Sequence, residues 1–205
     1  MQIYKIYSRY GFANSYVLTE DGKRAVIIDP AIPLEPKLSE LKLKIEYVLL
    51  THCHFDHVAG VAGLQKLGAK VICLAEEKPL FGTSADVYDL FGAVRESFSI
   101  DKTVQDGEKF ELCGISFEAI HTPGHTAGSV CYLVKDGDKK HLFVGDTLFE
   151  NSIGRTDFPT GDMATLRKSL KKLKELDGDY PVYAGHGDDT TLDRERQYNP
   201  FLGDV

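Results

Sequence analysis

Apolar residues recur along the chain with two periods. Alternating or continuously apolar runs rich in β-branched and aromatic residues predict strands over 2–7, 16–19, 25–29, 47–51, 71–74, 109–112, 116–121, 130–134, 141–145 and 181–183, since a period of two turns one face of an extended segment to the core. Segments 34–43, 58–67 and 163–176 instead space their apolar residues by three and four, as a helix with one buried face does. In the last of these Met163, Leu166, Leu170 and Leu173 share a face, and Asp162 stands where its side chain can accept from the free N–H groups of the first turn. Asp136-Gly137-Asp138 predicts the turn of a hairpin over 130–145. Helices alternate with strands from end to end, and many strands read as antiparallel hairpins. The pattern predicts an α/β fold of layered sheets covered by helices, and with no linker or repeat it predicts a single domain over 1–205.

Composition narrows the function classes. A chain of 205 residues removes roughly 70% of its unfolded surface from water, so its core can stand without disulfides. With 24 basic against 31 acidic residues the net charge is −7, and a phosphate backbone demands a basic stripe that is absent, so no nucleic-acid partner is expected. The cluster Lys168, Lys171, Lys172 and Lys174 reads as the solvated face of the last long helix. The apolar runs are strand-length, which predicts no membrane span or signal peptide. Cys53, Cys73, Cys113 and Cys131 lack paired spacing and suit reduced thiols, so a cytoplasmic location is expected.

The most informative segment is Thr51-His52-Cys53-His54-Phe55-Asp56-His57, between an apolar strand and a helix. With 7 His in the chain, the pattern His-x-His-x-Asp-His should arise by chance only about once in a thousand such sequences. On an extended stretch His52 and His54 project to one side, and a turn into the helix swings Asp56 and His57 toward a second point nearby, so the loop could serve two metals. Imidazole and carboxylate without thiolate suit zinc, iron or manganese rather than calcium or magnesium. Cys53 points the other way and reads as packing. Four residues cannot close two coordination spheres. Further candidates stand at strand ends, namely His125 after Thr122-Pro123-Gly124, Asp146 after the apolar run ending at Gly145, and His186 between Gly185 and Gly187. His121 and His141 lie within strands and read as structural. Phe81, Tyr88 and Phe91 read as core aromatics, with the rim of the site as the other reading.

In order, His52-Cys53-His54-Phe55-Asp56-His57, Pro123-Gly124-His125-Thr126, Gly145-Asp146-Thr147-Leu148-Phe149 and Gly185-His186-Gly187 resemble the signature of the metallo-β-lactamase fold, over essentially the whole chain. The segment 152–162 and the ending Asn199-Pro200-Phe201-Leu202 are similar to those of the short glyoxalase-II-like hydrolases. The resemblance implies a four-layer αββα sandwich. It implies that His52, His54 and His125 hold one metal, that Asp56, His57 and His186 hold another, and that Asp146 bridges them. Two divalent ions follow, zinc foremost, with iron or manganese also fitting. It also implies Asp29 as a support of the motif loop, and Arg155 with Gly154 as contacts of the substrate. The C-terminal helical domain of typical glyoxalase II is not expected here, and Ser129 stands where many relatives carry a second His.

Two dications lower the pKa of a shared water from 15.7 to about 7 and polarise a carbonyl. A thioester suits such a site, because a thiolate leaves without a proton donor and none is evident beside the motif. The expected reaction is therefore hydrolysis of a thioester of the hydroxyacylglutathione type. Arg155 could pair with a substrate carboxylate, or simply with Asp157 or Asp162 at the surface. The alternatives are a mononuclear iron persulfide dioxygenase of the same fold, whose members are similar over Thr51-His52-Cys53-His54 and 154–158, and a hydrolase of another ester or lactone. Gly185-His186-Gly187 favours the hydrolase by resemblance.

Overall fold

A computed structural model describes residues 1–7, 11–203 and 205. In chain order the main elements are β1 (Gln2–Ile6), β2 (Ser15–Thr19), β3 (Arg24–Ile28), α1 (Glu35–Leu41), β4 (Lys44–Leu49), α2 (Phe55–Val58), α3 (Val61–Lys66), β5 (Lys70–Leu74), α4 (Tyr88–Phe91) and β6 (Lys102–Val104). They continue with β7 (Lys109–Leu112), β8 (Ile115–His121), β9 (Val130–Asp136), β10 (Lys139–Gly145), β11 (Leu148–Phe149), β12 (Ser152–Ile153), α5 (Met163–Lys174), β13 (Pro181–Ala184), β14 (Thr190–Thr191), α6 (Leu192–Tyr198) and α7 (Pro200–Gly203).

Strands β1 to β6 form one sheet in sequence order, and a second sheet runs β14-β13-β10-β9-β8-β7. The hairpins expected from the sequence are present, including β9/β10 turned at Asp136 to Lys139. From β3 to β6, however, the first sheet is parallel. Parallel neighbours need crossovers that climb over the sheet, and α1, α2 with α3, and α4 lie in those crossovers.

Three apolar layers show how the elements stack. Leu18, Val26, Ile28, Leu49, Phe117, Tyr132 and Phe143 fill the space between the two sheets. Val17, Ile27, Val48, Leu50 and Leu64 pack the first sheet against its helices. Leu142, Val144, Val182, Leu166, Leu170 and Leu173 pack the second sheet against α5. The result is the αββα order. Strand β3 explains its own sequence, since Val26 and Ile28 face the other sheet while Ala25 and Ile27 face helices. Burial on both sides demands an unbroken apolar run.

Differences from the sequence expectation have local causes. The helix expected over 58–67 is two helices, because at Gly60 the chain passes so close to the Pro30 and Ile32 carbonyls that a Cβ would collide with them. The helix expected over 34–43 stops at Leu41, where Lys42 takes a left-handed conformation at φ 54° and caps it. Met163 is 40% exposed and does not join Leu166, Leu170 and Leu173 in the core. Strand β6 and helices α6 and α7 were not expected, being too short or too polar to show a period.

Asp162 accepts from Thr165 N at 2.7 Å, as expected of a cap, and Leu170 is fully buried. Urea denaturation should find Leu170→Ala destabilised by about 2–5 kcal/mol and Asp162→Ala by about 1 kcal/mol.

Candidate metal centre

The candidate ligands gather where loops leave one end of the two sheets. Beyond β4 the chain bends at Thr51 and passes through His52, Cys53 and His54 without regular structure before turning into α2. Asp29 anchors this loop, accepting from Thr51 N at 2.8 Å and from Thr51 Oγ1 at 2.5 Å. Asp29 itself holds φ at 49°, a conformation that a short polar side chain tolerates better than most. Cys53 points away from the histidines, with its Sγ 3.5 Å from the Ala85 carbonyl. His125 comes from the β8–β9 turn, Asp146 directly follows β10, and His186 follows β13. Two glycines make room for this convergence. A Cβ on Gly185 would strike Asp146 Oδ1, and one on Gly154 would strike the Asp146 carbonyl.

His52, His54 and His125 form the first group. Nε2 of His52 lies 3.1 Å from His54 Nδ1 and 3.2 Å from His125 Nε2, and the last two are 2.9 Å apart. The remaining ring nitrogens reveal the protonation. Thr51 Oγ1 donates to Asp29, so at 3.0 Å it accepts from His52 Nδ1–H. His125 Nδ1–H donates to the Arg155 carbonyl at 2.8 Å. In the neutral rings both Nε2 atoms therefore carry lone pairs, and these face each other inside a buried pocket. Burial and the neighbouring rings keep all three histidines neutral, with His52 held well below the usual histidine range and His54 brought to about 3. Facing lone pairs without a proton between them repel, and a cation removes that repulsion. The donor set thus fits a metal ion.

Asp56, His57 and His186 form the second group. His186 Nε2 lies 3.2 Å from Asp56 Oδ2, and His57 Nε2 lies 3.3 Å from Asp146 Oδ1. His57 Nδ1–H donates to Asp29 Oδ2 at 2.8 Å, which aims Nε2 into the site. Asp146 stands between the groups, its Oδ2 lying 3.6 Å from His125 Nε2 and 3.5 Å from His186 Nε2. His54 Nε2, His57 Nε2 and Asp146 Oδ1 are buried and lack a hydrogen-bond partner, an arrangement that proteins seldom keep without a ligand. Burial opposes charge on His57, but Asp146, Asp29 and Asp56 outweigh it and raise its pKa well above the usual value. His186 is raised in the same way, with Asp146 and Asp56 outweighing burial. Asp146 is held far below the ordinary carboxylate range, its burial overcome by His57 and His186.

A cavity of about 530 Å³ opens onto this centre. Phe12, Phe55, Phe91, Phe149 and Phe158 line it together with Arg155. Phe55 meets Phe12 at 5.6 Å and Phe91 at 5.1 Å, and Phe158 stands edge-on to His54 at 5.6 Å. The Arg155 guanidinium lies 3.7 Å from the centre of the Phe158 ring. It also makes two hydrogen bonds of 2.6 Å to the carboxylate of Asp157. The surface pair weighed from the sequence is therefore present, at the rim of the cavity.

Of the other aromatics, Phe91 reaches the cavity, whereas Tyr88 is buried in the core and Phe81 packs against Phe98. His121 bonds the Ala127 carbonyl and His141 bonds Tyr183, away from the centre. Lys172 and Lys174 are not merely solvated, bonding Asp106 and the Leu202 carbonyl. Sequence reasoning missed Asn14, Tyr16, Glu77 and Glu195, buried polar residues that tie the ligand loops or their neighbours. A polar residue inside an apolar run was the available signal for Asn14 and Tyr16. The Phe12 and Phe149 contributions to the cavity carried none.

Residues 9–186 match the metallo-beta-lactamase superfamily, and the chain belongs to that superfamily of metal-dependent hydrolases. It is 40% identical over 197 residues to the hydroxyacylglutathione hydrolase GloC of Haemophilus influenzae, covering 92% of both chains. Among solved structures it resembles the BLEG-1 B3 metallo-beta-lactamase, with a TM-score of 0.88, 33% identity and coverage of 98% of this chain and 99% of that one. It also resembles TTHA1623 in a di-iron-bound form, with a TM-score of 0.81, 32% identity and coverage of 98% and 100%. Hydroxyacylglutathione hydrolases thus stand among its relatives. Among the described residues no helix is long and apolar enough to cross a membrane.

Metal uptake should depend on pH with a definite sign. Without metal the neighbouring carboxylates favour the protonated forms of His57 and His186, and a histidine must lose its proton to ligate. Calorimetry in buffers of different ionisation enthalpy should detect a net release of protons as the chelator-treated chain fills with zinc. Affinity should rise with pH up to the raised histidine pKa values and level off above them.

Proposed function

We propose that the chain hydrolyses thioesters of the hydroxyacylglutathione type with two divalent metal ions. The carrying observation is the pair of ligand groups on either side of Asp146, together with the buried His54 Nε2 that has no hydrogen-bond partner. His52, His54 and His125 would hold one ion, Asp56, His57 and His186 the other, and Asp146 would touch both. Zinc is the first choice for this donor set, with iron or manganese also fitting. When bound, such ions activate water near neutral pH and polarise the thioester carbonyl.

The chain's own residues do the rest. Asp29 fixes His57 and, through Thr51, His52, so both rings present Nε2 inward. Phe55, Phe91 and Phe158 give the cavity beside the centre an apolar wall for the substrate to pack against. Among the described residues no carboxyl or lysine of the cavity lining stands apart from the ligands as an acid, which suits a thiolate leaving group that needs no proton. Arg155 would exchange Asp157 for a carboxylate of the thiol carrier, with Gly154 letting the backbone beneath it run against Asp146.

Elemental analysis of protein purified without chelator should find close to two metal ions per chain, together with turnover of a glutathione thioester. A reproducible single iron with oxygen uptake on glutathione persulfide would overturn the reading in favour of the dioxygenase. Turnover of lactones or simple esters alone would overturn the thioester specificity. Asp146→Asn should lower turnover far more than His121→Ala or His141→Ala, because it removes the charge between the groups.

Arg155→Ala should raise KM for a glutathione thioester and leave kcat within a few-fold, since an anchor used equally in ground and transition states contributes uniform binding. The guanidinium is about half exposed, so the loss in kcat/KM should be roughly tenfold, at the low end for a charged pair. A neutral alkyl thioacetate should be hydrolysed equally well by both proteins. Equal losses on the two substrates would assign Arg155 to support of the loop.

A further inference from the structure

We infer that the two ligand groups are held by separate buried braces, Glu77 for the three-histidine group and Asn14 for the Asp56–His57–His186 group, so that one metal can be lost while the other stays. This rests on the ligand reading above and goes beyond it, because it assigns residues that touch no metal.

Glu77 is fully buried. Its Oε1 accepts from Cys53 N at 2.7 Å and its Oε2 from Thr126 Oγ1 at 2.9 Å. Cys53 lies between His52 and His54, and Thr126 follows His125. One carboxylate therefore ties together the two loops that carry the first group. The approach is close, since a Cβ on Gly128 would collide with the Glu77 backbone. Ser129 completes the turn by accepting from Thr126 N at 3.0 Å. None of these contacts reaches Asp56 or His186.

Asn14 lies at the entry to β2 and is also buried. Its N–H donates to the Gly185 carbonyl at 2.6 Å, and its Nδ2 donates to the Ala184 and Gly187 carbonyls at 3.1 Å each. Three bonds from one residue thus enclose His186. Tyr16 OH adds a bond of 2.7 Å to the Ala184 carbonyl. The preceding Ala13 N donates to the Asp56 carbonyl at 3.2 Å, so the same short segment holds both loops of the second group. Asp29, by contrast, reaches both groups, through His57 and Thr51.

Buried hydrogen-bond partners of this kind fix the geometry on which metal affinity depends, and losing one lowers affinity by about 10- to 100-fold. A general loss of stability would weaken both sites together. Separate braces weaken one.

The test uses the full chain, stripped with chelator and reloaded with zinc alone. Competition against a chromogenic chelator gives the two affinities, and anomalous diffraction from crystals at limiting zinc assigns them to sites. Glu77→Ala should weaken the three-histidine site by about 10- to 100-fold and leave the other within about threefold. Asn14→Ala should do the reverse. Thr126→Val and Tyr16→Phe, which each remove one hydroxyl group, should shift the same sites by less and serve if the first pair fails to fold. Asp29→Asn should weaken both. Parallel loss at both sites in every variant, or no loss in any, would overturn the inference while leaving the ligand reading intact. A wild-type chain that binds fewer than two zinc ions would overturn the ligand reading first.

Discussion

Three imidazoles are held with nitrogen atoms within 3.2 Å of one another in a buried pocket, and much of the structure serves to keep them there. The Nε2 lone pairs of His52 and His125 repel at that distance, and burial removes the water that would screen them. Flexible side chains would relieve the strain by turning away. They are prevented because each ring is fixed from behind, His52 by Thr51 and His125 by the Arg155 carbonyl, while Phe158 packs beside His54. A site organised in advance binds its ion without first paying the entropy of ordering three loops.

The sandwich supplies the rigidity for this. Two sheets packed through Ile28, Leu49, Phe117, Tyr132 and Phe143 cannot slide without breaking a close-packed layer. Loops leaving the ends of such sheets inherit their positions. The first sheet contributes His52, His54, Asp56 and His57, and the second contributes His125, Asp146 and His186. Hydrogen bonds across the seam, such as Asn14 N to the Gly185 carbonyl and Val130 N to the Thr51 carbonyl at 3.0 Å, lock the halves in register.

Charge is distributed unevenly over the centre. The three-histidine group is neutral, while the second group mixes raised histidines with depressed carboxylates. In the metal-free chain the carboxylates of the second group therefore favour protons on its histidines. Stability from the raised histidines is complete below the ordinary histidine pKa and is lost as pH rises through the raised values, whereas stability from Asp146 is complete above the ordinary carboxylate range and is lost as pH falls below it toward the depressed value. The Phe-lined cavity adds little charge of its own, because Arg155 is already neutralised by Asp157.

Much of this was legible in the sequence, for physical reasons. Periodicity identified ten of the strands, since burial on one or both faces imposes a pattern on neighbouring residues, and the unusual density of histidine and aspartate around His52 marked a metal loop. Resemblance then linked His125, Asp146 and His186 to it, which spacing alone could not do. Elements whose stability comes from distant contacts left no pattern. Strand β6 exists because β5 offers it an edge, and the break at Gly60 because residues 30 and 32 pass beneath it. The braces were hidden for the same reason, since Glu77 is 24 residues from Cys53 and Asn14 is 170 from Ala184. Whether Arg155 meets a substrate carboxylate or Asp157 likewise could not be read from residue types, because both partners offer the same oxygens. Local sequence determined which side chains could hold a metal, and tertiary structure decided which of them meet and what holds them, because those distances are set by the packing of two sheets.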